Sequence, residues 1–190
     1  CYFHLNTKKK KINWDTRKKE FDSLIDKIRN KKNEGFDVLV PVSGGKDSIT
    51  QVHYMLKAGL RVLALNVDYG FKTDIGDYNL NLIPKMGASL FVFRPNMKIH
   101  RKVLKISFEK YGDPDLMSHC LLHALPIKTA IKFNIPLVFL GENSAYEYSG
   151  DKTYDEKKMS FKWFKNYAAN NGITPKKFSK EHNISFNKMD

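Results

Sequence analysis

The sequence predicts an α/β fold, a parallel sheet flanked by helices, on three observations. Four short apolar runs read as buried strands. The stretches between them have helical length, with apolar residues gathered on one side. Glycines stand at the joints, at Gly59, Gly87 and Gly141. Strands alternating with helices imply βαβ units and hence parallel pairing. The chain has 190 residues, 42% of them hydrophobic, enough to bury the core of one domain.

Taken in order, Asp15 to Asn33 places Phe21, Leu24, Ile25 and Ile28 at helical spacing, with charges opposite. Asp37 to Val42 is a short apolar run, read as the first strand. Ser48 to Ala58 reads as a helix, with Gly59 at its C-terminal cap. Leu60 to Val67 is the second strand. A helix over Asp74 to Met86 follows, ending near Gly87, and Ser89 to Phe93 is the third strand. Ile99 to Tyr111 is amphipathic through Val103, Leu104, Ile106 and Phe108. Ser118 to Phe133 is another helix, in which Pro126 predicts a kink. Pro136 to Leu140 is the fourth strand, closed by Gly141. Beyond Gly150 the pattern weakens, and Lys157 to Asn170 reads as one helix at most.

Ligands of open parallel sheets bind beyond the carboxyl ends of the strands. That selects the loops Ser43–Ser48, Asp68–Thr73, Arg94–Asn96 and Gly141–Ser144. One of them has a chemical signature. Ser43-Gly44-Gly45-Lys46-Asp47-Ser48 leaves a strand and opens a helix, the setting a phosphate-binding loop requires. Two glycines let the backbone approach oxyanions closely. The first amides of the helix are unpaired donors, reinforced by its dipole. Ser43 and Ser48 carry hydroxyls, and Lys46 supplies a point charge for phosphate. An ordinary turn with a Ser/Asp cap is the competing account. The Walker A spacing is absent.

The net charge of +13 points to polyanions, but its location matters. Residues 1–32 carry 11 Lys/Arg against 4 acids, residues 33–150 carry 13 against 11, and residues 151–190 carry 9 against 5. The charge therefore sits at the ends and reads as a solvated face or as compositional bias before it reads as a nucleic-acid surface. Two cysteines exclude a disulfide scaffold and suggest a reducing compartment. No apolar run approaches the roughly 18–20 residues of a membrane span, and the N-terminus lacks a signal-peptide core, so a cytoplasmic protein is expected. The chain begins at Cys1 and ends at Asp190 without an obvious closing element, which suggests a piece of a longer protein or missing disordered residues.

The hexapeptide resembles the SGGxDS pyrophosphate loop of the PP-loop (N-type) ATP pyrophosphatases. That resemblance implies a Rossmann-like, adenine nucleotide alpha hydrolase-like fold and cleavage of ATP to AMP and pyrophosphate with Mg²⁺. It implies nucleotide contacts from Val42, Ser43, Gly44, Gly45, Lys46, Asp47, Ser48, Asn66, Val67, Asp68 and Gly141. Three stretches narrow it further: Pro41 to Ser48, Thr73-Asp74-Ile75-Gly76 with Asn79-Leu80, and Ile135 to Val138 with Gly141-Glu142-Asn143-Ser144. In this order and spacing they look like the N-acetyl sugar amidotransferase family of lipopolysaccharide and pseudaminic acid (flagellin-glycan) biosynthesis. The match covers most of residues 1–150. It implies ATP activation of an acetamido oxygen on a nucleotide-activated sugar, and replacement of that oxygen by ammonia from a separate glutaminase subunit.

Lys46, Asp47 and Glu142 are the catalytic candidates. Asp47 is the candidate magnesium ligand, although it also suits the first turn of a helix. Glu142 stands beyond the fourth strand, to bind Mg²⁺, orient ammonia or simply hold backbone amides. Asn143 and Ser144 are candidates for sugar hydroxyls, and Asp68 for ribose or metal. Arg94 meets phosphate or is an exposed strand-end arginine. His119 and His123 share a helical face beside Cys120, too few for a metal site alone. The resemblance makes His119 a candidate substrate contact. Cys1 reads as an N-terminal nucleophile or, better, as the last cysteine of a zinc ribbon that the family often carries before this domain. The expected organisation is a basic segment and helix over 1–33, a PP-loop domain over 34–150 and the start of a C-terminal extension over 151–190.

A PP-loop tRNA-modifying enzyme is the competing function. The charge favours it, while the isolation of Cys1 and Cys120 argues against sulfur transfer. A noncatalytic nucleotide-binding module is the third alternative.

Overall fold

The structure, a computed structural model, describes residues 12–31, 34–141 and 173–184. The expected α/β fold holds. Helix α1 (Trp14–Asn30) precedes strand β1 (Val38–Pro41). Helix α2 (Lys46–Lys57), β2 (Val62–Val67), α3 (Asp74–Lys85) and β3 (Ser89–Phe93) follow. Then come α4 (Met97–Tyr111), α5 (Leu116–Lys132), β4 (Leu137–Val138) and α6 (Pro175–His182). The strands form a parallel sheet in the order β3-β2-β1-β4. That is the strand order of the first four strands of a doubly wound Rossmann sheet.

The central strands are buried because both their faces are covered. Side chains alternate along a strand. Val38, Val40, Val62 and Ala64 share one apolar cluster with Ile25 and Ile28 of α1, Val52 and Met55 of α2, and Leu80 and Ile83 of α3. Leu39, Leu63 and Leu65 form another with Ala130 of α5 and Ile135. This two-sided burial explains why β1 and β2 read as continuous apolar runs rather than alternating ones. Strand β3 lies at an edge, and Phe91 and Val92 remain partly exposed. A third cluster joins Val103 of α4, Leu116 of α5, and Phe178 and Ile184 at α6.

Local signals set most boundaries. Asn13, Thr73, Asn96 and Thr174 cap the starts of α1, α3, α4 and α6 through their side chains. Gly59, Gly87 and Gly112 take positive φ just past helix ends. Several edges differ from expectation. Helix α1 stops at Asn30, not Asn33, and α2 begins at Lys46, two residues early. Helix α5 begins at Leu116, two residues early, and holds Pro126 inside one helix, as expected. Strand β4 is two residues long rather than five. Pro136 has no N–H to give a ladder, and pairing continues past β4 only through the Phe139 N–H to Leu39 C=O bond, 2.9 Å.

Candidate functional site

The chain steps from β1 through β2 to β3 on one side, then returns to place β4 on the other side of β1. Strand order therefore reverses between β1 and β4, and at such a switch point the loops diverge and open a crevice at the carboxyl edge. The Ser43–Ser48 loop leaves β1 at that point. Gly141, which follows β4, stands beside it. The Gly141 backbone lies so close to the Gln51 amide of α2 that a Cβ there would fall 2.5 Å from Nε2.

The loop is a small stapled unit. Ser43 N–H donates to Ser48 Oγ (3.3 Å), and the Ser48 hydroxyl donates to Gly45 C=O (2.9 Å). Gly45 N–H donates to Ser43 Oγ (3.3 Å). Both serines thus shape the loop from within. Gly45 is the N-cap of α2 and no side chain caps that helix, so the helix start keeps its donors for an anion. Lys46 is 87% exposed and pairs with the equally open Asp47 at 2.8 Å. An exposed pair of this kind holds by only about 0–1 kcal/mol, so either charge is readily released to a ligand.

The loop is buttressed from behind by the first turn of α3. Gly44 has φ +85°, and a Cβ on it would sit 2.4 Å from the carbonyl oxygen of Gly76. Asn79 Nδ2 donates to Gly44 C=O at 2.8 Å. Thr73 caps the same turn by accepting Gly76 N–H at 3.1 Å. The Thr73–Asn79 stretch is therefore the support of the Ser43–Ser48 loop. Sequence reasoning quoted these residues without a role. The local clue was a glycine three residues after a Thr cap, where a side chain is normally welcome.

Beside the loop, Asn66 of β2 is 2% exposed. Its Nδ2 donates to Val42 C=O at 2.8 Å, while Oδ1 is buried without a partner. An orphaned acceptor at the strand ends suits a ligand N–H or O–H, because leaving it unpaired is unfavourable. Val67, half-buried, continues the strand beside it.

Asp68 is 1% exposed and already engaged. Its Oδ1 accepts Gly70 N–H at 2.9 Å, and its Oδ2 accepts Arg94 Nε at 3.1 Å and Arg94 Nη2. Lys72 Nζ stands 3.6 Å away. The Arg94 guanidinium, then the Gly70 N–H, hold the Asp68 carboxyl below its ordinary range. Tyr69, next in the chain, stacks on His100 with centroids 5.2 Å apart. Its hydroxyl donates to Ser118 C=O at 3.2 Å, and burial pushes its pKa up to about 12. That bond ties the first turn of α5 to the carboxyl edge of β2. His119, exposed, stands in that turn, and Cys120 is a half-buried free thiol raised in pKa by burial. Among the described residues, no three His, Cys, Asp or Glu side chains gather as a metal site.

The nucleotide expectation fits what is present: glycines that let the backbone approach, an uncapped helix start, Lys46 and an orphaned acceptor at Asn66. A magnesium ion fits as one carried by nucleotide phosphates with Asp47 as the neighbouring carboxylate, since Mg²⁺ commonly takes one or two protein carboxylates plus phosphate. Glu142, Asn143 and Ser144, Cys1 with any zinc ribbon, and the helix expected at Lys157–Asn170 lie outside the described residues.

No protein-family model matches the chain. No curated protein matches it by sequence. Among solved structures it is similar to the NH3-dependent NAD synthetase from Campylobacter jejuni, at 16% identity and TM-score 0.48. That likeness covers 70% of this chain and 58% of the synthetase, so the chain spans less than two thirds of that enzyme. It is also similar to the NMN synthetase from Francisella tularensis, at 16% identity and TM-score 0.49, over 90% of this chain and 73% of that one. Both likenesses are distant.

Proposed function

We propose that the chain is an ATP-dependent enzyme of the PP-loop type that converts an N-acetyl sugar to its acetamidino form. The observation that carries this is the Ser43–Ser48 loop, uncapped at the start of α2, placed at the switch point and held from behind by Gly76 and Asn79. A loop so built suits a chain of phosphates, which supports the reading, and the identity of the acceptor rests on the sequence resemblance.

In this reaction the acetamido oxygen attacks the α-phosphorus of ATP and pyrophosphate leaves. Ammonia adds to the activated carbon. AMP departs with the oxygen, and loss of a proton leaves the amidine. The α2 amides and Lys46 hold the departing pyrophosphate, whose developing charge is where fixed donors help most. Val42, Asn66 and Val67 flank the adenosine, with Asn66 Oδ1 accepting from it. Magnesium, when bound with the nucleotide, neutralises phosphate charge. By the sequence resemblance, Asp47 would hold it, Glu142 would orient ammonia, and Asn143, Ser144 and His119 would meet the sugar. A glutaminase partner supplies the ammonia.

The test is incubation of the full-length protein with ATP, Mg²⁺, ammonia and a panel of acetamido sugars, including nucleotide-activated ones. AMP together with a product carrying NH in place of O is expected. Absence of both across the panel overturns the proposal. The +13 charge supports a second reading, a tRNA-modifying PP-loop enzyme. Tight, salt-sensitive tRNA binding in a gel shift, tracking a modified nucleotide, would favour it.

A further inference from the structure

The carboxyl edge carries a second pair of cationic side chains, Arg94 and Lys72, each already paired with a carboxylate. Arg94 leaves β3 and Lys72 precedes α3, and both converge on Asp68 at the end of β2. The distribution of burial is unusual for an ion pair. The carboxylate is 1% exposed, while the Arg94 side chain is 68% exposed. Asp68 engages the guanidinium through Nε and Nη2, both on Oδ2. Asp68 does not engage the Nη1 edge. Asp68 itself cannot turn to a ligand without giving up Gly70 N–H and Arg94. It therefore acts as a hidden anchor that fixes the direction of an exposed planar fork, the geometry that recognises phosphate or carboxylate with two parallel bonds. Lys72, 28% exposed, shares its ammonium between Asp77 (3.0 Å) and Asp68 (3.6 Å) and keeps a donor to spare.

Strand spacing separates this centre from the loop. Neighbouring strands lie about 4.8 Å apart, so Arg94, two strands from β1, stands about 10 Å from the base of the phosphate loop. The triphosphate of a nucleotide held on the α2 start is served by that loop and by Lys46. At that separation the loop's own donors do not reach an anion at Arg94.

We propose that Arg94, anchored by Asp68 and assisted by Lys72, is a second anion subsite that receives a phosphate group of the acceptor rather than of ATP. The assignment to an acceptor rests on the ATP-dependent reaction proposed above; the anion subsite does not. Phosphate could also arrive as part of ATP, and the experiment separates the two sources.

Full-length protein is titrated with inorganic phosphate, then with a nucleoside diphosphate, both free and after saturation with a nonhydrolysable ATP analogue and Mg²⁺. Calorimetry gives affinity, and the Arg94 Nε–H resonance reports the site. Saturable binding in the presence of the analogue is expected. Arg94→Gln should weaken it about tenfold, the loss of one charge-assisted hydrogen bond, with analogue affinity unchanged. Because Arg94→Gln leaves a buried carboxylate unpaired, the double variant Asp68→Asn/Arg94→Gln removes both charges and keeps the test valid if the single variant melts. Phosphate binding that vanishes once the analogue is bound, or that is indifferent to both variants, overturns the proposal. If the analogue never binds, the ATP reading fails by itself, and the titration of the free protein still decides the anion subsite.

Discussion

Replacing Gly44 with alanine tests the buttressed loop directly. The new Cβ must occupy φ +85°, a left-handed conformation that costs a non-glycine residue about 1–2 kcal/mol. It must also fit 2.4 Å from Gly76 O and 3.0 Å from Gly76 C. The obstruction is backbone, so no side chain can swing aside. The loop has to lift from α3, which breaks the Asn79–Gly44 bond, worth about 0.5–1.5 kcal/mol. Together these give about 2–3 kcal/mol. For a chain of this length that corresponds to a fall in Tm of about 5–10 °C. Thermal melting and affinity for an ATP analogue are the assays, and both should drop. Gly45→Ala is the control. Gly45 has φ −74°, and its Cβ would meet only Ser43 Oγ, at 3.3 Å, so stability should change by less than about 1 kcal/mol. The reasoning is refuted if Gly44→Ala melts with the parent chain and binds the analogue equally well, or if Gly45→Ala unfolds the protein as readily.

Asn79→Ala should lower stability by about 1 kcal/mol, read from a urea midpoint, and weaken nucleotide binding more than a distant surface change of equal cost. Asp37 is 6% exposed and accepts Arg61 N (2.8 Å), Nε (2.9 Å) and Nη2 (2.7 Å). The Arg61 side chain holds its carboxyl below the ordinary 3.8, so its stabilisation is complete above that pH and is lost as pH falls through the depressed value. Urea midpoints between about pH 5 and 2 should fall with acid, and Asp37→Asn should flatten the slope; an unchanged slope refutes the assignment. Cys120, its pKa raised by burial, should alkylate slowly in the native chain and quickly in urea, as mass mapping of its peptide would show.

Much of the fold was legible because it depends on local pattern. β3 falls at Ser89–Phe93 as expected, and α3 differs by one residue, since Thr73 and Gly87 mark its ends. β4 was overread because an apolar run does not say how much of itself finds a partner. The site was legible at its loop, where motif and setting coincide in six consecutive residues. The side-chain ties between elements, at the site and at the opposite edge of the sheet, were not. Asn79 to Gly44, Arg94 to Asp68 and Arg61 to Asp37 are single side chains crossing between elements, 35, 26 and 24 residues apart. Such pairs leave no periodic trace in one sequence. The expected ribose or metal contact at Asp68 illustrates the difference: position placed it at the carboxyl edge, but only three dimensions reveal that both its oxygens are occupied.

The register of β1 against β4 also has a kinetic consequence. Val38 pairs with Val62 on one side and with Leu137 on the other. The first pairing closes a short stretch of chain, the second a long one, and long closures come at greater entropic cost and form slowly. The crevice beside the Ser43–Ser48 loop is bounded by both, so it exists only once β4 has arrived. Capture of a nucleotide during refolding would therefore follow the β1–β4 closure, a clock for completion of the sheet rather than for its collapse.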